Sequence, residues 1–248
     1  MRNRLLVILL LICATSTNAA VFDGINFTVG DTLQLHRSGL QGLAWLDSNR
    51  VAVLYVTPDS LPELPPLNVE LVMTDSAADS ISVTDYTGIL NRGLIYDGEF
   101  YWSFGNTAPG KSSLYKIDAD TLNVEDSFKL LGHYPAGIVW DGDYIWLTDR
   151  DRGRADRFSP DPLTEKIVRT VLTPGFSPYG ISGGEKYFWV TDVSTGRMYR
   201  LSHGGKWNGT VTRESFWHRG EEIGLSHDGE NLWMWTPGDS IAVQVLFD

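Results

Sequence analysis

The chain repeats one phrase four times, beginning Gly-[Leu/Ile] and ending in Trp nine residues later. The copies run from Gly93 to Trp102, Gly137 to Trp146, Gly180 to Trp189 and Gly224 to Trp233. Their tryptophans fall 44, 43 and 44 residues apart. A period in the forties built from short strands specifies a β-propeller with one four-stranded blade per repeat. Each phrase contains a two-residue hairpin signal: Asp97-Gly98, Asp141-Gly142, Gly183-Gly184 and Asp228-Gly229.

A fifth, degenerate copy precedes these. Gly42 to Asn49 opens it and Val51 to Val56 forms its second strand. Its spacing to the next copy is longer, 51 residues from Gly42 to Gly93, and the extra length sits in the Pro-rich stretch Thr57 to Pro66. In the copy at Tyr179 the four strands are expected at Tyr179–Gly183, Lys186–Thr191, Gly196–Ser202 and Val211–Trp217, with Asn208-Gly209 reading as a turn. The last copy ends with its third strand, Ile241 to Phe247. One spare strand near the N-terminus, about Asp31 to His36, would supply the missing fourth and cover an open edge. The expected fold is all-β, a five-bladed β-propeller closed by an N-terminal strand that completes the last blade. It forms one domain over residues 21–248.

Residues 1–20 read as a secretory signal peptide. Met1 to Arg4 is basic, Leu5 to Ile12 is apolar and too short to span a membrane, and Thr17 to Ala20 is small. Cys13 is the single cysteine; lipidation there is disfavoured by Ile12 before it. The mature chain then has no thiolate nucleophile, no disulfide and no Cys-based metal site. It carries 18 basic and 31 acidic residues, a net charge of −13. That balance disfavours nucleic acid and anionic membrane surfaces as partners, since both want a basic face. The expectation is a secreted or periplasmic monomer with no transmembrane segment.

The second-strand tryptophans are expected to pack between blades, since a ligand platform is rarely repeated in every blade. The hairpin face is short and uniform. The opposite face collects the loops leading into each innermost strand and out of each second strand, and here the copies differ. That face is the expected working surface for a protein, peptide, glycan or small-molecule ligand. Candidate ligand-binding residues are Arg37, Gln41, Asn91, Arg92, Tyr134, Tyr179 and Arg219. A catalytic alternative uses His133 and His218 as imidazoles with Glu221 or Glu222 as carboxylate, and Arg92 or Arg37 on an oxyanion. A divalent cation is an open alternative, with Asn91, Asp149 and Glu222 as oxygen ligands. Asp149 and Asp192 occupy equivalent places after the second strand and are expected to cap loop amides. Arg150, Asp151, Arg152 and Arg154 read as a solvated mixed-charge loop.

Pro135-Ala136-Gly137-Ile138, Trp146-Leu147-Thr148-Asp149, Pro178-Tyr179-Gly180-Ile181 and Trp189-Val190-Thr191-Asp192 resemble exported propellers with NHL, YVTN or YWTD-type repeats. Leu114 to Asp118 and Met198 to Leu201 resemble the third strand of such blades. That superfamily contains lactonases, lyases and non-enzymatic binding proteins, so the resemblance implies scaffold. Gln41-Gly42-Leu43 is similar to an early phrase of five-bladed glutamine cyclotransferases, whose later glutamate-rich phrases are missing here. Pro135 to Ile138 resembles gluconolactonase-like propellers. Their opening Glu-Gly-Pro metal-ligand phrase is replaced here by Gln41-Gly42-Leu43. From these likenesses comes the runner-up activity, a small-molecule lyase, cyclotransferase or lactonase.

Overall fold

The computed structural model describes residues 27–35, 38–47, 50–57, 68–75, 80–85, 92–108, 111–161, 163–183, 187–205, 207–211 and 219–247. The signal-peptide residues and the Pro-rich stretch from residue 58 to 66 lie outside them. The described residues form twenty strands and no helix.

The strands make five four-stranded antiparallel sheets. The first holds β2 (Leu40–Trp45), β3 (Arg50–Thr57), β4 (Asn68–Asp75) and β5 (Ser80–Asp85). The second holds β6 (Arg92–Tyr96), β7 (Phe100–Ala108), β8 (Lys111–Asp118) and β9 (Val124–Leu131). The third holds β10 (Pro135–Trp140), β11 (Ile145–Asp149), β12 (Arg154–Pro160) and β13 (Leu163–Leu172). The fourth holds β14 (Pro178–Gly183), β15 (Tyr187–Asp192), β16 (Arg197–Ser202) and β17 (Trp207–Val211). The last is β18 (Gly224–His227), β19 (Leu232–Trp235) and β20 (Ile241–Phe247), with β1 (Phe27–Gln34) paired on β20. The innermost strands β2, β6, β10, β14 and β18 touch in that order, and β18 touches β2. This is an all-β propeller arrangement about a central channel.

The repeated glycine exists because of that channel. A Cβ on Gly42 would lie 2.8 Å from the backbone of Gly93 and Leu94. One on Gly137 would overlap the Tyr179 carbonyl, and one on Gly180 the Ile223 carbonyl. Threonines on the second strands seal the same contacts. Thr148 Oγ1 accepts from Gly137 N–H at 2.8 Å and donates to Tyr179 O at 2.6 Å. Thr191 repeats this with Gly180 N–H and Ile223 O, at 2.8 and 2.7 Å. Ser226 Oγ donates to Leu43 O at 2.7 Å, linking the last sheet to the first.

The hairpin aspartate has a second task that its turn chemistry does not reveal. Asp141 Oδ1 accepts the Asp143 and Tyr144 amides, while Oδ2 accepts the Trp146 indole N–H at 2.7 Å. Asp97 with Trp102 and Asp228 with Trp233 repeat the clasp at 2.6 and 2.8 Å. Each tryptophan then packs against an adjacent sheet. Trp102 meets Ile138 and Leu147, and Trp146 meets Ile181 and Val190. Trp189 has no aspartate in its turn and stacks on Phe247 instead, with centroids 4.3 Å apart.

The outer strand of the fourth sheet departs from expectation. It runs over Trp207–Val211 rather than Val211–Trp217. Gly205, at φ +82°, tightens the preceding turn. Gly209 pairs with Arg200, so Asn208-Gly209 is strand and not turn. Residues 212–217 lie outside the described residues.

Two substitutions should separate close approach from hydrogen bonding. Gly137→Ala forces overlap with the Tyr179 carbonyl, and Thr148→Val leaves Gly137 N–H and Tyr179 O without that bridge. Each should cost about 1–3 kcal/mol, read as a fall of several degrees in Tm. A Tm within one degree or so of wild type for both would contradict the account.

Candidate functional site

Two polar clusters form where loops gather on the face opposite the hairpins. The first lies at the channel mouth. Arg92 starts β6, Arg150 follows β11, Tyr179 lies in β14, and Glu222 precedes β18, so four sheets contribute. Glu222 accepts a hydrogen bond from Arg150, and its other oxygen lies 3.8 Å from Arg92. The Arg92 guanidinium stands 5.5 Å above the Tyr179 ring. Arg92 Nη1 is buried and has no hydrogen-bond partner among the described residues. Burial pushes the Tyr179 hydroxyl well above its ordinary range despite the opposing Arg92 charge, so the phenol is neutral beside the Glu222 carboxylate. Arg92 and Arg150 thus share the Glu222 carboxylate. Gln41, Tyr179 and Trp235 line the narrow top of the channel below.

The second cluster belongs to the third sheet. His133 Nδ1 lies 3.2 Å from Asp149 Oδ2 and 3.4 Å from Asp156 Oδ2. Arg152 bonds Asp149 at 3.0 Å, and Thr170 donates to Asp156 Oδ1 at 2.5 Å. Arg154 Nη2 stands 2.9 Å from Asp156 Oδ2. Among the described residues the buried Asp149 Oδ1 has no hydrogen-bond partner. Asp149 and Asp156 together raise the His133 imidazole from 6.5 to about 9, against the lowering effect of burial. Burial raises the Asp149 carboxyl, but His133 and Arg152 outweigh it and hold it below the usual carboxylate range.

The expected grouping of His133 with Glu222 is not what the contacts show. His133 engages Asp149 and Asp156, whereas Glu222 engages Arg92 and Arg150. The grouping of Asp149 with Glu222 around a cation fails for the same reason, because each carboxylate is claimed by its own cluster. His133, Asp149 and Asp156 do place one donor atom each within 4.8 Å of one another. A divalent ion there would have to displace Arg152 and Arg154. Residues 150–153 form the expected turn, with Asp151 and Arg152 exposed, and Arg150, Arg152 and Arg154 are each ion-paired.

Asp149 and Asp192 also differ despite their equivalent positions. Asp192 caps its loop, accepting Ser177 N–H at 2.7 Å and Thr195 N–H at 2.9 Å. Asp149 takes His133 and Arg152 instead. Of the other candidates, Gln41 is half-buried, and Tyr134 accepts the Arg150 amide through its carbonyl. Arg219 and Glu221 are exposed. Arg37, Asn91 and His218 lie outside the described residues. Sequence reading missed Asp156 and the inward role of Arg150. The signal for Asp156 was its place two residues before Phe158, on the same buried face of a third strand.

His133 should be protonated at neutral pH, and its ring-proton NMR titration should centre near 9. Its folded value lies above the unfolded one. Its contribution to stability is therefore full below about 6.5 and lost as pH rises through about 9. Asp149→Asn should move the midpoint back towards 6.5; an unchanged midpoint would remove Asp149 as the cause.

No family model and no curated protein sequence matches the chain. Solved structures do. Glutaminyl cyclase from Myxococcus xanthus superposes with a TM-score of 0.66 at 11% identity, covering 90% of this chain and 96% of that one. Virginiamycin B lyase from Staphylococcus aureus gives 0.53 at 14% identity, over 89% of this chain and 99% of that one. A streptogramin B lyase gives 0.51 at 13%, over 90% and 98%. At such identities the likeness is one of fold, and the chain is an all-β propeller similar in architecture to these.

Proposed function

We propose that this chain is an exported, monomeric binding module that recognises a carboxylate-bearing protein or peptide segment at the channel mouth. The observation that carries the reading is Arg92. Among the described residues its buried Nη1 has no acceptor, and it shares the Glu222 carboxylate with Arg150. A buried charged donor without a partner is costly, and a carboxylate satisfies an arginine fork with two parallel bonds. Tyr179 and Gln41 add neutral polar groups beside it. Phe176, 83% exposed, and Leu131 and Leu172 lie on the same face and suit an apolar flank of a peptide.

The scaffold for this surface is a five-bladed ring closed by β1. The reading is supported by β1 pairing on β20 and by the cyclic contacts of the innermost strands. Export rests on the basic, apolar and small-residue order of residues 1–20. The acidic balance leaves nucleic acid out as a partner.

The runner-up is a cyclase or lyase, favoured by the fold likeness to a glutaminyl cyclase and to streptogramin-type lyases. Its His/Glu pair is weakened, because Glu222 is held by two arginines and His133 by two aspartates.

Peptides ending in a free carboxylate, compared with their C-terminal amides, test the proposal by fluorescence anisotropy. The free acid should bind at least about tenfold more tightly, as a lost charge-assisted bond predicts. Arg92→Ala should abolish the difference, and Glu222→Gln should strengthen binding. Equal binding of acid and amide, or none, would overturn the reading. Turnover of an N-terminal glutaminyl peptide or of a streptogramin B would establish the runner-up instead.

A further inference from the structure

One position of the inner ring breaks the pattern set by its neighbours. Thr148 and Thr191 stand across from Gly137 and Gly180, and each hydroxyl bridges the glycine amide to the next strand. In the last sheet the residue opposite the glycine is Trp235, paired with Gly224. An indole donates but does not accept, so it cannot take over the hydroxyl's double role. A Cβ on Gly224 would overlap Cε2 and Cζ2 of Trp235 and lie 2.6 Å from its Nε1. The N–H edge of the ring therefore lies against the innermost strand, at the channel wall. Trp235 is buried, and its Nε1 has no hydrogen-bond partner among the described residues. The indoles of Trp102, Trp146 and Trp233, by contrast, each donate to a hairpin aspartate.

Trp235 lines a cavity of about 20 Å³ at the top of the channel, together with Gln41, Gly93, Tyr179 and Gly224. Arg92 precedes Gly93, and its guanidinium stands over the ring of Tyr179, which lines the same cavity. Two buried donors at this mouth, Arg92 Nη1 and Trp235 Nε1, thus lack acceptors among the described residues. An orphaned buried donor is costly, so such a pair marks a place where acceptors are supplied from outside the chain. The space limits what can enter. A single water needs roughly 10–15 Å³, so the cavity admits about one oxygen and no side chain. A carboxylate offers two oxygens and no hydrogen, one for each donor. A primary amide would turn its own N–H groups towards one of them.

We propose that Trp235 is a specificity-determining residue of the carboxylate site, its indole N–H donating to one oxygen of the ligand's terminal carboxylate while Arg92 holds the other. This rests on the reading of the channel mouth as a carboxylate site. The terminal carboxylate enters the channel first, and the side chain of the last residue stays outside.

Free-acid and C-terminal-amide forms of one peptide, measured by anisotropy on wild type and on Trp235→Phe, test this. Phenylalanine keeps a ring and loses the donor. The substitution should weaken the free acid about tenfold and leave the amide unchanged. In the wild-type protein the Trp235 indole proton, assigned by its NOE to the Gly224 α-protons, should shift downfield with the free acid and stay in place with the amide. That second readout decides the question if the variant fails to fold. A free acid that binds both proteins equally, or leaves the indole proton in place, overturns the role of Trp235 while the Arg92 site stands. If no peptide binds, the peptide reading falls, and sodium formate is titrated against the same indole proton with sodium chloride as control. A saturable shift with formate alone keeps Trp235 as a carboxylate donor; no shift, or an equal one with chloride, overturns it.

Discussion

The structure depends on how closely the innermost strands of neighbouring sheets approach. At Gly42, Gly137 and Gly180 the next strand occupies the space a side chain would need. At Gly137 and Gly180 the contact is completed by a buried threonine that ties the glycine amide to the carbonyl of the next strand. Main-chain polar groups that would otherwise face a dry interior are thereby satisfied. The same closeness keeps the channel narrow and fixes the relative height of every loop on its rim. Both mouths inherit their geometry from it.

Much of the scaffold was legible because it is local. A glycine, a two-residue turn and a tryptophan at fixed spacing mark one hairpin whatever surrounds it. Where local chemistry is ambiguous, register decides. Asn208-Gly209 has turn residues, yet Gly209 is held opposite Arg200 in the sheet. The tryptophans were legible as packing residues, whereas their clasp to the hairpin aspartate was not. It appears only when the five-residue offset from Asp141 to Trp146 is seen as one acceptor and one donor.

The candidate site was legible as a region but not as a set of contacts. Arg92, Tyr179 and Glu222 stand on different sheets, and their meeting is a property of the ring rather than of any segment. His133 looked equally suited to join them. Two aspartates of its own sheet lie closer, and one, Asp156, has no distinguishing local phrase. Asp149 and Asp192 show the limit most plainly, with one local sequence and two outcomes: His133 reaches the first, whereas the second accepts the amides of its own loop.

Native-state hydrogen exchange tests the inner ring most directly. If the strand-to-strand contacts hold the ring as one unit, the Gly137 and Gly180 amides should exchange only through global unfolding, at the free energy measured by denaturant. Exchange of these two amides at the lower free energy of outer-strand amides such as those of β9 would show that the ring opens locally, contradicting the account.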